Sequence, residues 1–429
     1  MTDKALTLMS HFSGQTLSDW EALVSTGLKG KDFETLVSKT DDDLIRGPLS
    51  SEKNRPSNLS PLSRTQAPLL EGRPWHMCSP VRDPNLSFAN EQLLADLTGG
   101  ASAADVTVGD DALSFRNRAD FKRLFEGVHL NLIPMRFDIR GDIYEVTALI
   151  LDGKALTATP VNLGLDPIGL SLNGTPTPTN RLEDILKGLP DNITAISINA
   201  ALVHDAGGTE AQELSVMAAS AAAYWRQFGA KTKLSVRLAS DQDGHLGIAK
   251  FRAARRIMTR IADAFGADTN IEIHGVTSLR MMQTTDPWTN MLRIMSAGFG
   301  AICGGADYVT LRPFTDSLSK DPRLATPFGY RIARNMQLMM MEESHLGQVN
   351  DVAHGSYFHE RMTEQLAQTA WTEFQAIEAG GGIEALIETG VLAQSIQAAK
   401  TERDKKNAPI LGVTLHPADN IRPAKLREA

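Results

Sequence analysis

In this 429-residue chain, several polar side chains stand just past short apolar, β-rich runs, where a barrel presents its chemistry. His204 and Asp205 follow the run 193–198 and precede the turn Gly207-Gly208. Asp241, His274, Arg312 and Asp351 end four further runs. A histidine titrating near about 6.5 suits acid–base work, which makes His204, with Asp205, the first catalytic candidate. His274 faces the same presumptive cavity, although either histidine also reads as a structural ring satisfied within the core. Arg312, just before Pro313, offers a guanidinium fork to a carboxylate or phosphate, or a loop salt bridge. Arg73 is a second substrate-binding candidate. Glu343, at the end of a helical run, is a cofactor-binding candidate or an exposed polar end. The methionines between Met336 and Met341 read as adaptable core packing. His354, His359 and Glu360 show no metal-ligand spacing, and Cys78 and Cys303 are too far apart in sequence to suggest a ligand pair, so no metal is expected.

These residues need a scaffold, and the alternation of patterns supplies one. Candidate strands fall at 105–108, 129–132, 156–159, 193–198, 234–238, 271–274, 308–311 and 348–351. Helical periods separate most of them, at 90–97, 121–125, 143–151, 179–186, 209–228, 248–265, 287–303, 327–344 and 360–379. Eight strands alternating with helices predict an α/β fold, a (β/α)8 TIM barrel. An open doubly wound sheet is the alternative, but no GxGxxG fingerprint is present. Residues 1–70 read as an N-terminal arm with little core of its own, 71–400 as the barrel, and 401–429 as a short extended C-terminal tail.

Composition bounds the function. The chain is 42% hydrophobic and 22% charged, with net charge −8. An acidic balance argues against nucleic acid or an anionic membrane as the main partner. The N-terminus lacks a signal-type apolar stretch, and no apolar run has the length of a membrane span. Two cysteines and no disulfide pattern fit a reducing, cytoplasmic setting.

Several long segments resemble one family. They are DPWTNMLR from Asp286, GGADYVTLRPF, RIARNMQL, EESHLGQVND and GSYFHERMTEQLAQTAWTEFQAIEAGGG, and they extend back through KFRAARRI and HDAGGTEAQEL to GRPW at Arg73. This set is similar to the barrel domain of the methylmalonyl-CoA mutase family, the adenosylcobalamin-dependent acyl-CoA mutases. The wording of DPWTNMLR and GGADYVTLRPF resembles the small, non-catalytic subunits more than the catalytic ones.

The resemblance carries expectations about the site. Catalytic members have a Tyr-His pair before MQEAG; here those positions are Ala201 and Leu202, and leucine cannot donate to a thioester carbonyl. Their RPWTIRQYAG becomes a segment with Pro80 at the Tyr position and Cys78 at the Arg position. Their LRTHSQTSG becomes 271–279, with Glu272 in place of Arg. No counterpart of their VRNTYIYPP segment occurs near 171–178. The chain contains no DxHxxG cobalt-ligand signature. The resemblance therefore implies no cofactor in this chain, with adenosylcobalamin and an acyl-CoA held through a partner, the catalytic large subunit of a heterodimer, which the arm 1–70 would wrap. The alternative is a barrel subunit acting with a separate cobalamin-binding protein.

Overall fold

The structure is a computed structural model that describes residues 14–54, 56, 61–62, 64, 73–109, 112–152, 159–175, 177–318, 325–417 and 419–427. Eight parallel strands close into a barrel: β1 His76–Val81, β2 Ala103–Gly109, β3 Met135–Arg140, β4 Val161–Leu165, β5 Ile193–Asn199, β6 Leu234–Ser240, β7 Glu272–Thr277 and β8 Tyr308–Thr310. Each strand pairs with its sequence neighbour, and β8 pairs with β1 to complete the ring. The expected (β/α)8 architecture is what the chain adopts.

Side chains alternate along each strand, so one set faces the axis and the other meets the helices. The outward set is apolar: Val106, Val108, Phe137, Ile139, Val236 and Leu238 join one continuous core cluster beneath the surrounding helices. The helices start at recognisable caps. Thr209 and Gln212 form a capping box ahead of Glu210–Phe228, and Asp243 caps Gly244–Phe265. Two glycines set close approaches. A Cβ on Gly247 would lie 3.2 Å from the Cα of Gly300, so helices Gly244–Phe265 and Asn290–Cys303 touch backbone to backbone. Gly164, at φ +66°, carries a register shift in β4, and a Cβ there would sit 1.9 Å from the Phe137 carbonyl oxygen.

Two expected strands are turns instead, at 129–132 and 348–351. The expected strand at 156–159 falls largely outside the described residues, and the strand in that region is β4. The strands that replace them are β1 and β3. Pro80 inside β1 reads as a break in sequence. In β3 the axis-facing side chains are Arg136, Asp138 and Arg140, which erase the usual apolar signature of a barrel strand. The last helix continues to Lys406, so part of the expected tail is helical.

The arm divides into two unlike parts. Helix Leu17–Gly27 has a capping box at Thr16 and Asp19 but buries no residue. The segment after it docks on the barrel. Ser38–Lys39 and Ile45–Arg46 pair antiparallel, Leu44 is 7% exposed within the main core, and Arg46 pairs with Asp243. Asp42 accepts from the Ala211 amide at the start of helix Glu210–Phe228. Burial, with Glu210 and Glu373 nearby, pushes the Asp42 carboxyl up to about 7.

Leu44→Ala is expected to cost about 2 to 4 kcal/mol in urea unfolding, whereas deleting residues 1–30 should leave the midpoint nearly unchanged. Folded Asp42 keeps its proton up to about 7, while the unfolded carboxyl releases it near 3.8, so this group's contribution to stability falls as pH rises between those values. Asp42→Asn should flatten that decline; an unchanged pH profile of stability would refute the assignment.

Candidate functional site

The barrel axis is filled with charge. Arg237 on β6 reaches across to Asp105 on β2, with Nη1 donating at 2.7 Å and Nη2 at 3.0 Å. One layer lower, Arg136 on β3 reaches across to Glu272 on β7 at 2.5 Å. Strands four apart in an eight-strand ring face each other, so these two ion pairs span the barrel in crossing directions. Around them, the Thr310 hydroxyl donates to Asp105 at 3.0 Å, His274 Nε2 lies 2.8 Å from Thr310 Oγ1, and Asn162 donates to Ser235 at 2.5 Å. The Arg136 guanidinium also lies over the Tyr308 ring, 4.3 Å from its centroid. Burial works against every one of these charges, but Arg237 holds the Asp105 carboxyl below its usual range, and Asp105 and Asp138 hold Arg237 firmly protonated. Among the described residues, these buried pairs cross the axis at two levels.

His274, an expected catalytic residue, belongs to this core. It is 1% exposed, and burial together with Arg237 and Arg136 keeps its ring neutral well below the ordinary pKa. His204 is equally enclosed in helix Ala201–Ala206, with Nε2 3.0 Å from Asp241 Oδ2 and Nδ1 without a hydrogen-bond partner. Burial, then Lys250 and Arg280, pushes its pKa down to about 3. Its Nδ1 lies 3.6 Å from both Glu210 and Glu213. Burial raises Glu213 to about 7, even though Lys250 donates to it at 2.7 Å. Burial holds the His204 ring neutral at neutral pH.

His204, Glu210 and Asp241 are close enough together to hold a metal ion. Arg280 already occupies that charge position, pairing with Asp241 at 3.0 Å and Glu210 at 3.4 Å, and donating to the carbonyls of His204 and Gly208. The cluster is a self-compensated structural knot. Asp205 is exposed, with Oδ1 accepting from Ser278 Oγ and the Leu279 amide at 3.2 Å.

At the C-terminal mouth, Arg140 pairs with Asp138 at 2.9 Å and Arg82 with Asp316 at 2.5 Å. Arg312 lies among them, 7% exposed. The other candidates lie elsewhere. Arg73 precedes β1, donates to the Gly100 carbonyl at 2.7 Å and pairs with Glu342, which puts it at the opposite end of the barrel. Glu343 ends a π-helical turn and is exposed. Asp351 takes both nitrogens of a fork from Arg252 rather than ending a strand. The axis arginines Arg136 and Arg237 and the mouth arginines Arg82 and Arg140 escaped sequence reasoning, although MRFDIR and LSVRLAS carry three of them at period-two positions.

A closed parallel barrel with its polar groups at the C-terminal strand ends defines a (β/α)8 protein of the kind that supports many chemistries. The profile of one family, described as Methylmalonyl-CoA mutase, matches residues 186–426. A Streptomyces virginiae protein named Methylmalonyl-CoA mutase small subunit is 32% identical, across all of this chain and 75% of that protein. A Propionibacterium freudenreichii subsp. shermanii protein of the same name is 30% identical, across 98% of this chain and 72% of that protein. A Mycobacterium tuberculosis protein named Probable methylmalonyl-CoA mutase small subunit is 38% identical, across 68% of this chain and 50% of that protein. The chain thus spans half to three quarters of the length of these relatives. It belongs to the methylmalonyl-CoA mutase family, and within it to the small subunits of this isomerase type.

Asp105→Asn and Arg237→Met should each destabilise the fold by about 3 to 5 kcal/mol, because each strands a buried charge. The double variant should lose less than the sum in a double-mutant cycle. A single-variant loss under about 1 kcal/mol would show that the pair does not govern the barrel.

Proposed function

We propose that this chain is a non-catalytic small subunit that supports a catalytic, cobalamin-bearing large chain in the interconversion of methylmalonyl-CoA and succinyl-CoA. One observation carries the reading: the axis is closed by the Arg237–Asp105 and Arg136–Glu272 pairs. A CoA thioester held against a radical generator needs an open, dry cavity and hydrogen-bond donors aimed at its carbonyl. Ala201 is buried in an apolar cluster with Ala239 and Val276, and Leu202 is half-buried beside it. Neither side chain donates a hydrogen bond, and Pro80 is equally inert.

Adenosylcobalamin does not fit the polar groups of this chain. Among the described residues, the one His/carboxylate group with ligand geometry is His204–Glu210–Asp241, in which His204 and Glu210 are buried, Asp241 is partly buried and Arg280 already pairs with both carboxylates. Cobalamin and acyl-CoA are therefore assigned to the partner. Helix Leu17–Gly27 supports a heteromeric assembly, since an isolated helix of this length is marginal in water and this one buries nothing on its own barrel. No described helix is long and apolar enough to cross a membrane, and a cytoplasmic complex is part of this proposal.

The test is reconstitution with the cognate large chain. The purified chain with adenosylcobalamin and methylmalonyl-CoA should give no turnover, and the complex should turn over. Leu202→His should leave turnover of the complex unchanged, and deleting residues 1–30 should weaken association at least tenfold by size-exclusion mass analysis. Turnover by the isolated chain would overturn the assignment.

A further inference from the structure

We propose that the C-terminal mouth of the barrel binds a small carboxylate on Arg312. The position of this side chain is built rather than incidental. Arg312 follows β8 by two residues, its amide donates to Thr277 Oγ1 at 3.1 Å, and that hydroxyl donates to the Thr310 carbonyl. Pro313 then fixes the departing chain. The Arg312 backbone is thereby fixed at the strand end, where barrels place their ligands.

Its surroundings are cationic. Arg82, Arg140 and Arg237 all act on it, and each has a carboxylate of its own: Asp316 at 2.5 Å, Asp138 at 2.9 Å and Asp105 at 2.7 Å. Arg312 has none. Among the described residues, no carboxylate lies within 4.0 Å of its nitrogens and no side chain or carbonyl accepts from its guanidinium. Asp316 and Asp205 feel its field without pairing with it. Burial, with Arg82 and Arg140 beside it, lowers its pKa to about 10, the mark of a positive local potential with no counter-charge. An enclosed guanidinium left unpaired is costly, and this one, 7% exposed, retains a route to solvent.

The missing group is an anion. A guanidinium fork matches the two oxygens of a carboxylate. One carboxylate would supply the acceptor that the Arg312 fork lacks, whereas a phosphate dianion would bring more negative charge toward Asp316 and Asp138. This inference concerns the chain's own barrel and stands whether or not the subunit assignment holds.

The experiment uses the full-length chain with sodium acetate and sodium malonate as probes, and sodium phosphate and sodium chloride at matched ionic strength as comparisons. Calorimetric titration and thermal unfolding are read together. The expected result is one carboxylate site per chain, a melting temperature that rises with malonate beyond the chloride control, and at least a tenfold loss of affinity in Arg312→Gln. Arg312→Lys, which keeps the charge without the fork, should retain part of the affinity. No carboxylate response beyond chloride, or unchanged affinity in a folded Arg312→Gln, overturns the site; tighter binding of phosphate than of malonate overturns the carboxylate assignment. Should Arg312→Gln fail to fold, a wild-type crystal soaked in bromoacetate decides, with an anomalous bromine peak beside Arg312 supporting the site and its absence there refuting it.

Discussion

The Arg237–Asp105 pair across the barrel is the interaction on which the rest of the structure depends. Most barrel interiors fill with branched aliphatic layers. Here the axis carries arginine, aspartate, glutamate, histidine and asparagine, each committed to a partner from another strand. Such a core gains little over an apolar one in net free energy, because desolvation offsets most of the attraction. Its effect is on geometry: each pair joins opposite strands, so removing one partner strands a charge that the barrel cannot re-solvate without opening. The outward faces of the strands remain apolar and carry the ordinary hydrophobic stabilisation.

Much of the barrel was legible because its outer layer follows the simple rules. Helices Glu210–Phe228, Gly244–Phe265 and Tyr357–Ala379 have caps and continuous periods that read directly, and β5 to β8 lie close to where their apolar runs suggested. The first half misled for one physical reason. In β1 and β3, the axis-facing positions are occupied by His76, Pro80, Arg136, Asp138 and Arg140. A rule that scores apolar content therefore slides to the nearby turn at 129–132. The site was less legible still. His204 and His274 have the right residue type and the right position past a strand, but sequence does not show that both rings are enclosed and held neutral. The relevant charges, Arg237 and Asp105, are 132 residues apart.

Family resemblance and geometry address different parts of this problem. The resemblance places Ala201, Leu202 and Pro80 at positions where catalytic relatives carry reactive groups. Geometry adds that the space beyond those positions is occupied, since ion pairs close two layers of the axis. Either observation alone leaves an escape: a lost side chain can be replaced functionally by a neighbour, and a filled axis can still border a working pocket. Together they support the proposed non-catalytic role more strongly than either does alone.

The arm and the strand ends are joined by one run of charge. Asp241 at the end of β6 holds Arg280, Arg280 holds Glu210, and Glu210 faces Asp42 of the arm across the first turn of helix Glu210–Phe228. Asp42 docks at that helix start by accepting from Ala211, while Lys406 and Arg403 pair with its neighbour Asp41. The arm segment is thus not a loose strap awaiting a partner; it is seated on the same knot that encloses His204. The knot thus serves as a mounting for this part of the arm, with His204 kept neutral and its Nδ1 without a hydrogen-bond partner.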